Sequence, residues 1–138
     1  SIYGRTFSTL GKPLDPISQD ACAFYETQAM YKEFSGVVEE VNEGDEIAKA
    51  LGDKKVIILQ NHGILTTGPS VDIALWFYMS MERCCQAQLM AEAAGTPVII
   101  PHETAVKTRD FIANDIAAWA SYQPAYDMII KREPDLLD

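Results

Sequence analysis

The sequence predicts an α/β domain with helices packed on a sheet, and three observations carry that expectation. Short apolar runs bounded by turn residues read as strands, the clearest being Lys55 to Gln60. Two long helical patterns follow towards the C-terminus. No internal repeat and no linker long enough to divide the 138 residues is present, so one domain covering 1–138 is expected.

Taken in order, Ile2 to Leu10 is a short amphipathic helix, stopped by Gly11 and Pro13. Leu14 to Ile17 is extended, because Pro16 biases Asp15 away from the helical region. Ser18 caps a turn through Ala21 to Phe24. A strand is expected over Ala29 to Phe34, and a weaker one at Val37-Val38. Asn42 N-caps a helix to Leu51, with Glu43, Asp45 and Glu46 in the positive first turn and Gly52 at its end. After the Lys55–Gln60 strand, Ile64 to Thr67 continues it or begins another.

Ser70 caps a helix of about 25 residues that stops at Gly95. Its first half, Ile73 to Met79, is apolar all round, so it needs cover on more than one side. The sheet supplies one side, and another subunit is the expected source of the rest. Thr96 to Pro101 is an extended connector whose two prolines exclude a central strand. A second long helix spans Glu103 to Tyr122, with Val106, Phe111, Ile112, Ile116 and Trp119 near one face. Pro124 should kink or break it, Ala125 to Lys131 resumes helix, and the residues after Arg132 form a tail.

Composition narrows the function classes. With 48% hydrophobic and 22% charged residues the chain is of ordinary globular type, not a disordered one. A net charge of −9 argues against nucleic acid and anionic membranes as partners, since both are polyanions. No run of about 20 apolar residues offers a membrane span. No basic-then-apolar leader opens the chain. The odd set Cys22, Cys84 and Cys85 does not form a disulfide framework and fits a reducing, cytoplasmic compartment. The chain opens inside an amphipathic element without an initiator methionine, as a fragment or a processed N-terminus does.

The chemistry-bearing candidate is His62, delivered at the end of the Lys55–Gln60 strand within Asn61-His62-Gly63. A histidine held there can serve as a metal ligand or as an acid/base group. Zinc catalysis usually needs three protein ligands, and the chain offers only two histidines, His62 and His102. It contains no H-x-H, H-E-x-x-H or C-x-x-C. Cys84-Cys85 lies mid-helix and reads as inert packing. The acidic stretch Glu39 to Glu46 reads as a solvated face, and Asp15 and Asp20 as turn carboxylates. Thr66 to Ser70 presents hydroxyls at a helix start but lacks the glycines and lysine of a P-loop. Tyr122 to Tyr126 could form a lid whose phenols reach a pocket, or pack at an interface.

The block Val56 to Pro97 resembles the class II aldolase/adducin head family. The likeness rests on the apolar strand, Asn61-His62-Gly63, Thr67-Gly68, the helix with Ala74-Leu75 and Glu82, and Ala93-Ala94-Gly95 at its end. Ser1-Ile2-Tyr3-Gly4 looks like the start of the family's short helix that follows an H-x-H pair. The resemblance therefore covers nearly the whole chain but only the later part of a complete family domain.

That resemblance implies a three-layer α/β/α sandwich around a mostly antiparallel sheet, with its N-terminal part missing. It implies a zinc ion held by three histidines, His62 matching the third, with the H-x-H pair and the catalytic glutamate upstream of Ser1. The activity implied is retro-aldol cleavage of a sugar phosphate, such as fuculose 1-phosphate, into dihydroxyacetone phosphate and an aldehyde. A cyclic homotetramer with sites between subunits is also implied, making Tyr122 and Tyr126 candidate site tyrosines. The bacterial aldolases carry a tyrosine where this chain has Ser18-Gln19-Asp20; the epimerases carry a catalytic aspartate there, and Asp20 is its counterpart. An epimerase or decarboxylase on the same scaffold, and an adducin-like assembly module without catalysis, stand as alternatives.

Overall fold

The computed structural model describes residues 1–33 and 41–137. The order is α1 (Tyr3–Ser8), α2 (Gln19–Cys22), β1 (Gln28–Tyr31), α3 (Val41–Leu51), β2 (Val56–Leu59), β3 (Gly63–Thr66), α4 (Val71–Ala94), α5 (His102–Ile112) and α6 (Asp115–Arg132). A 3-10 turn, Pro134–Leu137, follows in the expected tail.

The described strands form a sheet of order β1-β2-β3. β1 pairs parallel with β2, from Gln28↔Val56 to Tyr31↔Leu59, and the crossover between them carries α3. β2 pairs antiparallel with β3, from Val56↔Thr66 to Leu59↔Gly63. The β1 strand stops short of the expected Phe34, which lies outside the described residues, as do Val37-Val38 and Glu39-Glu40.

β2 is buried along its whole length, as its unbroken apolar run requires. Val56 and Ile58 join Phe7, Phe24, Phe77 and Met81 in one core cluster. Ile57 points to the opposite face and is fully buried there, while α3 packs against β1 and β2. The Phe24 and Phe77 rings meet edge to face at 6.2 Å, worth about 0.5–1.5 kcal/mol beyond their buried area. The sheet thus lies between α3 and a layer containing α1 and α4.

Several expectations are corrected by local chemistry. α3 begins at Val41, so Asn42 lies inside its first turn. Ser70 precedes α4 in extended backbone but makes no side-chain cap; its carbonyl alone accepts the Ala74 N–H. Gly95 ends α4 in extended backbone rather than a left-handed cap. α4 packs against α1, α2, β3 and α6; in its apolar start Ile73 and Phe77 are buried, while Leu75 and Met79 remain exposed. The helix expected over 103–122 is two helices, because Asn114 leaves the helical path and its side chain accepts the Ala117 N–H at 2.9 Å to cap α6. Phe111 and Ile116 flank that break and are about four-fifths exposed, at 81% and 80%, so they are not core. α6 runs through Pro124 without interruption.

The irregular segment Gly11 to Ile17 is held through its main chain. The Gln28 side chain accepts the Leu14 N–H and donates to the Leu14 carbonyl, both at 2.8 Å. Fully buried Gln88 of α4 accepts the Asp15 N–H at 2.9 Å and donates to the Asp15 carboxylate at 2.7 Å. Asp15 is thus a fixed structural carboxylate, and Ser18 caps α2 as expected by accepting the Ala21 N–H.

Candidate functional site

β2 ends at Leu59, and Gln60-Asn61-His62 forms a three-residue hairpin loop closed by the Leu59↔Gly63 pair. His62 is therefore in the turn, not at the strand terminus. Its N–H donates to the Leu59 carbonyl at 3.0 Å, and Asn61 at φ 61° takes the left-handed position that a tight turn demands. Gly63 follows at φ 149°, a backbone conformation that side chains disfavour. The Asn-His-Gly triplet is read physically: asparagine and glycine shape the turn so that the imidazole projects outward. The ring is exposed, and neither nitrogen has a hydrogen-bond partner among the described residues.

The turn rests on α1. The Asn61 N–H donates to the Ser8 carbonyl at 3.4 Å, and the Arg5 side chain lies 3.3 Å from where a Cβ on Gly63 would stand. α1 in turn is tied to α4 by Glu82. One carboxylate oxygen accepts the Ile2 and Tyr3 N–H groups at 2.8 and 2.9 Å. The other accepts the Gly4 N–H at 2.7 Å and the Ser1 hydroxyl. Burial alone raises the Glu82 pKa, but the Ser1 hydroxyl and the three N–H groups together outweigh it and hold the carboxyl below its ordinary range. Sequence reading found Glu82 only as part of a resemblance. Its partners lie about eighty positions away, beyond the reach of any local signal.

The other candidates lie elsewhere. Asp20 lines a cavity of ≈ 300 Å³ with Gln19, Trp76, Ser80 and Phe111. Tyr122 and Tyr126, ring centroids 6.5 Å apart within α6, line a separate one of ≈ 320 Å³ with Val71 and Asp72. His62 lines neither of these cavities. His102 is placed in the first turn of α5, its Nδ1 3.0 Å from the Tyr25 hydroxyl. Cys22, Cys84 and Cys85 are buried free thiols. Burial pushes Cys84 and Cys85 up to about 12, so neither is a nucleophile near neutral pH.

No group of three His, Cys, Asp or Glu residues able to hold a metal ion occurs among the described residues. The donor set present does not by itself make up a zinc site. A free, outward imidazole can contribute one ligand to a site completed by other groups. No helix of the described residues is long and apolar enough to cross a membrane.

The comparisons place a chain of this fold in the class II aldolase superfamily. The chain belongs to the family described as "Class II Aldolase and Adducin N-terminal domain", whose profile matches residues 1–89. Among curated relatives, "Decarboxylase NovR" of Streptomyces niveus is 40% identical over 136 residues, 99% of this chain and 50% of that protein. A "4-hydroxy-3-prenylphenylpyruvate oxygenase/4-hydroxy-3-prenylbenzoate synthase" of Streptomyces roseochromogenus subsp. oscitans is 39% identical over 136 residues, 99% of this chain and 49% of that one. The solved L-fuculose 1-phosphate aldolase from Glaciozyma antarctica PI12 superposes with a TM-score of 0.87 at 38% identity, over 96% of this chain and 50% of that one. The chain spans about half the length of the curated relatives it matches.

Proposed function

We propose that this chain is part of a metal-dependent carbon–carbon lyase, with His62 as one ligand of the metal. The observation carrying this reading is the exposed imidazole of His62, without a hydrogen-bond partner at either nitrogen among the described residues and held outward by its turn. The metal is zinc by family likeness, and its remaining ligands come from outside the described residues. The reaction is retro-aldol cleavage of a sugar phosphate such as fuculose 1-phosphate into dihydroxyacetone phosphate and an aldehyde. The 38% identity to a fuculose 1-phosphate aldolase over 96% of the chain supports it. Asp20, Tyr122 and Tyr126 are the proposed proton-handling or substrate-contacting groups, each lining an open cavity. Residues 1–138 act as a single, partial domain of a cytoplasmic homo-oligomer.

Decarboxylation is the second reading, favoured by the 40% identity to a protein named as a decarboxylase over 99% of the chain. The two chemistries share the breaking of a carbon–carbon bond but differ in where its electrons go: the retro-aldol pair is taken by the adjacent carbonyl, whereas loss of carbon dioxide from a 2-oxo acid leaves the pair on the carbonyl carbon and needs an oxidant such as the dioxygen implied by the second relative's name.

The test uses the intact protein loaded with zinc. Dihydroxyacetone phosphate formation from fuculose 1-phosphate is assayed beside carbon dioxide release from an arylpyruvate with dioxygen supplied as the oxidant. His62→Ala should lower the productive reaction at least about a hundredfold and lower metal content. Full turnover after His62→Ala overturns the proposal. No turnover on either substrate, no stoichiometric metal and stable self-association would identify a non-catalytic, adducin-like module instead.

A further inference from the structure

We infer that Glu82 is a positioning residue: through α1, its carboxylate sets where the His62 turn stands. The inference rests on the lyase reading above for its catalytic consequence, but its structural part stands alone.

The first N–H groups of any helix have no partner within it. In α1 these belong to the residues around Tyr3, and the N-cap residue Ile2 has no side chain able to satisfy them. A six-residue helix is also too short to persist unaided. Glu82, in the middle of α4, supplies from another element what the local sequence lacks. Its two oxygens receive the N–H groups of Ile2, Tyr3 and Gly4 and the hydroxyl of Ser1. A carboxylate has about four lone-pair positions, and here all are taken. Glu82 therefore has no free lone pair with which to act as a base; its four donors make it an anchor.

What it anchors reaches the candidate site directly. Gly4 packs so tightly on β3 that the Ile64 side chain lies 2.9 Å from where a Cβ would be. Arg5 covers Gly63, and Ser8 accepts the Asn61 N–H. These successive contacts along α1 touch the residues on either side of His62. A helix fixed at its start by Glu82 fixes the turn; a helix released there leaves the turn resting on the hairpin alone.

The test is Glu82→Gln in the intact protein. The amide keeps the size but turns an N–H2 towards two of the four donors, so at least two bonds are lost. Hydrogen exchange at the Asn61 amide should accelerate at least about tenfold, with the β2 amides of Ile57 and Ile58 unchanged. With the productive substrate, kcat should fall about 10- to 100-fold while KM stays within about twofold, as misplacement of a reacting group demands. Glu82→Asp, which keeps both acceptor oxygens, should recover part of the loss. Lys12→Ala, which removes an ion pair to Glu92 of the same helix, should leave kcat unchanged. Unchanged Asn61 exchange in Glu82→Gln overturns the inference, as does an equal kcat loss in Lys12→Ala. Should His62→Ala prove fully active, the lyase reading fails and the exchange measurement alone decides the role of Glu82.

Discussion

Gly68 shows how much a single missing side chain can decide. A Cβ there would sit 2.9 Å from the Ala74 backbone nitrogen and 2.9 Å from Ile73 Cγ2, and a backbone atom in the first turn of α4 cannot step aside. Gly95 at the other end of α4 has open space around it and extended backbone. Gly68→Ala should cost about 1–3 kcal/mol of unfolding free energy, and Gly95→Ala less than about 0.5 kcal/mol, by urea denaturation. Equal effects at the two positions would contradict this packing. Residues whose task is local were legible in part: Ser18 caps α2 as expected, whereas Asn61-His62-Gly63, expected at the end of the strand, forms the hairpin turn beyond it. Gln88 was not. Within a helix pattern it is one polar residue among many, and only the folded chain brings the Asp15 main chain against it.

At the level of elements, β2 announced itself because a strand buried on both faces must be apolar at every position. The break between α5 and α6 was missed although its signal was present. Asn114 followed by Asp115 is a cap and a first-turn acid, but the apolar spacing of Phe111, Ile112 and Ile116 ran across it and imitated one continuous face. Phe111 and Ile116 turned out largely exposed, so the spacing reported a surface rather than a core. Pro124 misled in the opposite direction. It denies a hydrogen bond to the Ala120 carbonyl, but Pro124 and Ala120 are both exposed, so water can replace the bond and packing keeps the helix whole. Removing the proline should therefore help. Pro124→Ala should raise stability by about 1–3 kcal/mol in chemical denaturation, with unchanged helical circular dichroism. A loss of stability would show that the ring itself is needed for packing.

For the whole molecule, the superfamily was legible because its motif is spread over elements whose order survives in one sequence, from Val56 to Pro97. The complete site was not, since one imidazole carries no information about partners outside the described residues. The surface adds a prediction at this scale. Phe111, Ile116 and Trp119 expose 81%, 80% and 49% of their area around the α5–α6 junction, apolar surface that a second copy of the chain could cover. Light scattering should give the mass of a homo-oligomer, and Phe111→Glu with Ile116→Glu should shift it towards the monomer. A monomeric wild type would refute this assembly. The Glu82 tie also has a consequence in time. Ile2 and its acceptor are 80 positions apart in the chain, so on a ribosome the residues of α1 emerge before α4 and stay unclaimed until α4 has been made as far as Glu82. The order in which the chain is synthesised thus makes completion of the His62 neighbourhood a late event, and a nascent chain halted before Glu82 holds its histidine turn without its brace.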